Sequence, residues 1–180
     1  MQRTVFYAAL AVVALLAAAT RDRDVHAEPS QPLQLGFLFE RHFGAEQAAV
    51  ERYVAWVSEY DLLVALHLER LSTRDRDEII AWRRAGSAWD AITRRCGLVC
   101  GVYFVDLPDD QELRGPYARP YVTWRAQPGA DQRLSDEEVR ELVLLRVLRD
   151  TYHLAPGEVA RRRAAGESPR AIVASHTPPP

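Results

Sequence analysis

Two stretches of the chain are rich in apolar residues, DLLVALHLERL (61–71) and ELVLLRVLRDTY (141–152). At about a dozen residues each, they are too long for ordinary strands and predict helices buried on most faces. Ser135 followed by Glu138 forms the signature of a capping box and starts the second helix. A shorter amphipathic helix follows each long one, opening near Asp75 in one case and at Pro156 in the other. Each short helix stops at a glycine, Gly86 or Gly166, which can take a left-handed C-terminal cap without steric cost. Ser87 and Ser168 then stand where they can cap a third helix, with Pro169 at its first position in the second case.

The two arrangements are eighty residues apart. Aligning Gly86 with Gly166 pairs Leu62 with Leu142, Leu68 with Leu148, Glu78 with Glu158 and Arg83 with Arg163. Ala85, Ala91 and Ile92 meet Ala165, Ala171 and Ile172 in the same register. One helical corner cannot bury its own apolar face, whereas two stacked copies can cover each other. An added helix from about Ala45 to Glu59 carries Val50, Tyr53, Val54 and Val57 on one stripe. The predicted fold is all-α: a single domain of two helical pseudo-repeats, 44–97 and 135–176, joined by a Pro- and aromatic-rich linker loop over 98–134. Within that loop Val99–Val105 is the one apolar run, and a lone strand there would have no partner.

The N-terminus changes the picture. One basic residue, Arg3, precedes an uncharged run from Thr4 to Ala19, the pattern of a secretory signal peptide. Small residues suited to cleavage end at Ala27, so residues 1–27 read as a leader, 28–43 as a flexible lead and 177–180 as a disordered tail. The run is short for a membrane span, which takes about 20 residues, so an uncleaved anchor is the alternative. The expected location is the periplasm or the extracellular space.

Without the leader the chain holds 20 basic and 23 acidic residues, a net charge of −3. That balance argues against nucleic acid as the main partner, because phosphate binding needs concentrated positive charge. Every basic residue is arginine and asparagine is absent too, which fits codon bias better than ligand recognition.

EIIAWRRAGSAWDAI (78–92), two short helices joined across glycine with Ile92 six residues beyond it, resembles a helix-turn-helix DNA reader over about 20 residues in each copy. The resemblance implies that WDAITRR (89–95) would be the recognition helix and Arg94 and Arg95 phosphate contacts. The chain departs from that pattern at two packing sites in each copy. Trp82 and Arg162 stand where a small residue lets the helices approach, and Arg95 and Ser175 where an apolar one packs back.

Cys96 and Cys100 form the only cysteine pair, as CxxxC. Four residues apart at a helix end, their Cα atoms would lie about 6 Å apart, which predicts a structural disulfide in an oxidising compartment. A thiol-redox role is the alternative. No histidine has a second ligand at metal-binding helical spacing, so no metal and no cofactor are expected, and His67 reads as a packed core residue. No phosphate loop, nucleophile elbow or spaced carboxylate pair stands out, and the expectation is a protein that is not an enzyme. RGPYARPYVTWR (114–125) interleaves Tyr117, Tyr121 and Trp124 with Arg114, Arg119 and Arg125, the residue types of binding hot spots. Those six residues are the candidate contacts with an envelope or extracellular protein, against the alternative of a clasp that packs on the helices.

Overall fold

A computed structural model describes residues 33–107 and 113–176. The apolar leader, residues 28–32 of the lead and the C-terminal tail lie outside the described residues. Within them the chain is all-helical, and no helix is long and apolar enough to cross a membrane. In chain order the helices are α1 (Gly36–Phe43), α2 (Gln47–Val54), α3 (Glu59–Leu71), α4 (Arg76–Arg84), α5 (Trp89–Arg95), α6 (Ala118–Ala126), α7 (Asp136–Tyr152), α8 (Pro156–Ala164) and α9 (Pro169–Ala174), with 3₁₀ turns at Cys100–Tyr103 and Gly115–Tyr117.

The two apolar stretches form the centre. In α3 every residue from Asp61 to Leu68 is buried, and in α7 Leu142–Leu145, Val147 and Leu148 are buried as well. Helices with so many buried apolar residues must be covered over most of α3 and over a broad face of α7. These two cover each other first, and the remaining helices wrap around them. Asp61 near the start of α3 bonds Arg140 near the start of α7. At the other end His67 and Arg70 share a cleft with Arg146 and Asp150, so the two helices run side by side in the same direction.

Local chemistry sets the ends. Ser58 Oγ accepts from Asp61 N at 3.1 Å, Asp75 caps α4 and Ser168 caps α9. Ser135 and Glu138 complete the capping box of α7. Gly86 and Gly166 both have φ of +86°, a region closed to most side chains. Behind each, the following N–H bonds back five residues, Ser87 N to Trp82 O and Glu167 N to Arg162 O, both at 3.1 Å.

A matching pair of ionic clusters lies behind those turns. Arg83 bonds Asp61 and the Ser87 carbonyl; Arg163 bonds Glu141 and the Glu167 carbonyl. An aromatic donor completes each cluster, Trp89 Nε1 to Asp61 Oδ1 and Tyr117 Oη to Glu141 Oε2, both at 2.7 Å.

Several expectations need correction. The lead up to residue 43 contains α1, with Leu35, Leu38 and Phe39 wholly buried, because Glu59 accepts from the N–H groups of Gln34 and Leu35 and fixes its start. The single helix expected over 45–59 is α2 plus the first residue of α3, divided where Ser58 takes up its cap. Ser87 caps nothing by its side chain. The Trp89 N–H at the start of α5 donates instead to Asp136 Oδ1 at 2.9 Å, a cap supplied from α7. Of the linker over 98–134, the described residues 98–107 and 113–134 hold both 3₁₀ turns and a helix, α6, that the expectation of a loop did not include.

Candidate functional site

The stretch 114–125 turns its aromatics inward. Tyr117 has no exposed surface and Tyr121 has 2%. Tyr121 Oη donates to Val105 O at 2.9 Å and accepts from Val105 N at 3.3 Å. Trp124 stacks on Phe104 with centroids 4.5 Å apart and planes 3° from parallel. A Cβ at Gly101 would come within 3.3 Å of that indole, which explains a glycine there. Arg119 is tied to Glu138 of the capping box and donates to Arg133 O. Arg114 is exposed and Arg125 half-buried. The arrangement is that of a clasp, with Val122 its one large apolar side chain facing outward, 69% exposed.

Cys96 and Cys100 are both free thiols, so the expected bridge is absent. The separation of about 6 Å expected for it is the helical spacing of residues four apart. Instead Gly97 takes φ +74° and turns the chain out of the helix. Cys100 Sγ, buried, donates to Ala130 O and accepts from Gln132 N, while Cys96 is half-buried beside Ser72. Burial pushes both thiols above their ordinary pKa, the opposite of the depressed value that makes a cysteine reactive.

The arginines that the helix-turn-helix resemblance singles out are engaged by their own surroundings. Arg94 is paired with Asp90 and lies 3.4 Å from Asp131, and Arg95 sits over the Trp82 ring at 5.5 Å.

A different group of residues forms a concave site. An open cleft of about 650 Å³ lies where the C-terminal ends of α1, α3 and α7 converge, lined by Arg41, His42, His67, Arg70, Arg146 and Asp150, with Leu71 and Thr151. Nine other arginines each pair with a described carboxylate. Arg41, Arg70 and Arg146 pair with no described carboxylate, as is also true of Arg52, Arg84, Arg95, Arg133, Arg161 and Arg170; what sets the first three apart is that they line one concavity. Their positions are set by neutral groups: Arg41 lies 5.2 Å over the Tyr152 ring, Arg70 donates to His42 O at 3.3 Å, and Arg146 donates to Phe104 O. The one acid in the wall, Asp150, is paired with Arg149.

The ordinary role of arginine at a helix C-terminus is to offset the dipole, about half a negative charge per helix end. Arg41 and Arg70 stand in such last turns, while Arg146 lies six residues before the end of α7. With Asp150 paired to Arg149, roughly 1.5 negative charges from three helix ends face three guanidinium groups, and a surplus of positive charge remains. Among the described residues no cluster of metal-ligating side chains is present.

Both cleft histidines are held toward neutrality. His42 Nδ1 meets Thr151 Oγ1 at 2.6 Å, and burial followed by the nearby Arg70 lowers its pKa. His67 Nε2 lies 3.2 Å from Val102 O, which can only accept, so Nε2 carries the ring proton. Burial takes its pKa down from 6.5 to about 4, with Arg146 and His42 adding to the effect against the Val102 bond. The unfolded chain therefore takes up a proton below pH 6.5 that the native protein refuses until about pH 4. Stability is full above pH 6.5 and falls on acidification, by about 3 kcal/mol at pH 4 on account of this residue. Urea denaturation at pH 7 and pH 4 checks this: His67→Gln is expected to remove most of that pH-dependent loss, and an unchanged loss would refute it.

Sequence reasoning missed the cleft because its arginines come from three separate helices, one of them unanticipated. The available signal was Arg146, a charge set inside the apolar run LVLLRVL. No protein-family model, curated protein or solved structure matches the chain.

Proposed function

We propose that the mature chain is an exported, non-catalytic binding factor of the cell envelope, and that its partner is another envelope or extracellular protein received at the cleft between the ends of α1, α3 and α7. The observation that carries this reading is the concave cluster of Arg41, Arg70 and Arg146, none of which is in an ion pair with a described carboxylate. Positive charge gathered in a concavity favours association with an oppositely charged partner. The leader pattern of residues 1–27 supports export, and the inward-facing 114–125 stretch leaves the cleft as the stronger contact region.

The test has two parts. Protein expressed with its own N-terminus in a diderm bacterium is expected to show an intact mass consistent with cleavage near Ala27 and with two free thiols. Partners cross-linked to it in the envelope fraction are expected to be lost when Arg41 and Arg70 are both changed to glutamine. An uncleaved mass would overturn export. Recovery of the same partners by the double variant would overturn the cleft as the contact.

A further inference from the structure

We propose that the cleft binds the carboxylates of an acidic peptide segment, supplied by the partner protein, through Arg41, Arg70 and Arg146; this rests on reading the cleft as the partner site. Three observations select that ligand class. The guanidinium groups stand on three different helices and none is in an ion pair with a described carboxylate. The exposed Arg41 and Arg70 can each receive a carboxylate in the two-pronged geometry that arginine and carboxylate share, while Arg146, whose Nη2 is held by Phe104 O, adds charge from the cleft wall.

The cleft is built from helix C-termini. Compact phosphate sites use backbone N–H groups at helix N-termini, and here the helix ends present carbonyls instead. A dianion concentrated at one point would meet those three negative ends and Asp150 together, whereas single carboxylates spaced along a chain can each sit against a guanidinium. Finally, a volume of about 650 Å³, open to solvent, has room for several residues of an extended segment. Leu71, 46% exposed at the rim, offers apolar contact to the segment's backbone and methylene groups.

The probe is a fluorescein-labelled octapeptide of alternating glutamate and glycine, titrated with the full mature chain and followed by anisotropy. Saturable binding is expected, weakening as salt is raised. Arg41→Gln with Arg70→Gln is expected to weaken it by about tenfold, since each exposed arginine–carboxylate pair contributes up to about 1 kcal/mol. Both residues are exposed, and an unchanged circular dichroism spectrum would show that the variant folds. Arg161→Gln, on an exposed position of α8, should bind like the parent chain.

Displacement of the peptide by inorganic phosphate at equal concentration would overturn the carboxylate class, and tighter binding to phosphatidylglycerol vesicles would overturn the peptide as ligand. Failure of the peptide to bind while partner recovery still depends on Arg41 and Arg70 would sink this inference and leave the cleft as the partner site. Loss of both dependences would sink the two together.

Discussion

Replacing Asp61 with alanine is expected to lower the unfolding free energy by about 2–4 kcal/mol, somewhat less than stranding a fully buried charge. Asp61 is 7% exposed, and its carboxylate satisfies three partners at once. Arg140 donates Nε to Oδ1 and Nη2 to Oδ2, each at 2.9 Å; Trp89 Nε1 donates to Oδ1 at 2.7 Å; and Arg83 Nε lies 3.3 Å away. Without it the Trp89 indole N–H, in a wholly buried side chain, loses its acceptor, a cost of about 1–3 kcal/mol.

Arg83 would keep Asp136 at 2.6 Å, and Arg140 is exposed enough to turn toward water, which limits the rest of the loss. Asp61→Asn preserves an acceptor for Trp89 and removes only the charge, so it should fall between the parent and Asp61→Ala. Urea denaturation followed by tryptophan fluorescence gives both values. A loss below about 1 kcal/mol for Asp61→Ala would mean that the cluster selects the packing of α3 against α7 without stabilising it.

The parts of this fold legible in the sequence were those dictated locally. Near-continuous apolar runs announced α3 and α7, and Ser135 with Glu138, Asp75 and Ser168 marked starts that the side chains do cap. Gly86 and Gly166 marked stops for the steric reason given by their shared φ.

Where the deciding group came from elsewhere in the chain, the reading failed. The start of α1 depends on Glu59, and the cap of α5 on Asp136. Prolines at 116 and 120 suggested a linker without a helix, yet both sit at helix beginnings, where the missing N–H costs little. Tyr117, Tyr121 and Trp124 fall at i, i+4 and i+7, a helical spacing visible in the letters that the surrounding prolines and arginines obscured. The cleft was illegible for a different reason. Its charge excess depends on which arginines lack carboxylate neighbours, and composition cannot separate Arg70 from Arg76, which bonds Glu69.

Tyr117 decides between clasp and contact. The side chain is wholly buried in the 3₁₀ turn that packs on α7 and α8, and its hydroxyl donates to Glu141, which Arg163 also holds. Truncation to alanine removes a full ring from the core and is expected to cost about 3–5 kcal/mol. Tyr117→Phe keeps the ring and leaves Glu141 paired with Arg163, so only about 1–2 kcal/mol should be lost. Burial and the Glu141 charge push the phenol far above its ordinary pKa, so mildly alkaline solution should not release it. Val122→Ser, on the outward face of the same segment, should change stability by no more than about 0.5 kcal/mol. Thermal and urea unfolding of the three variants would show this ordering if the segment is part of the core. Were Tyr117 instead a partner contact, Tyr117→Ala would leave unfolding unchanged and reduce partner recovery. The two roles make opposite demands on the ring, because a side chain with no exposed surface must leave the core before it can touch anything else.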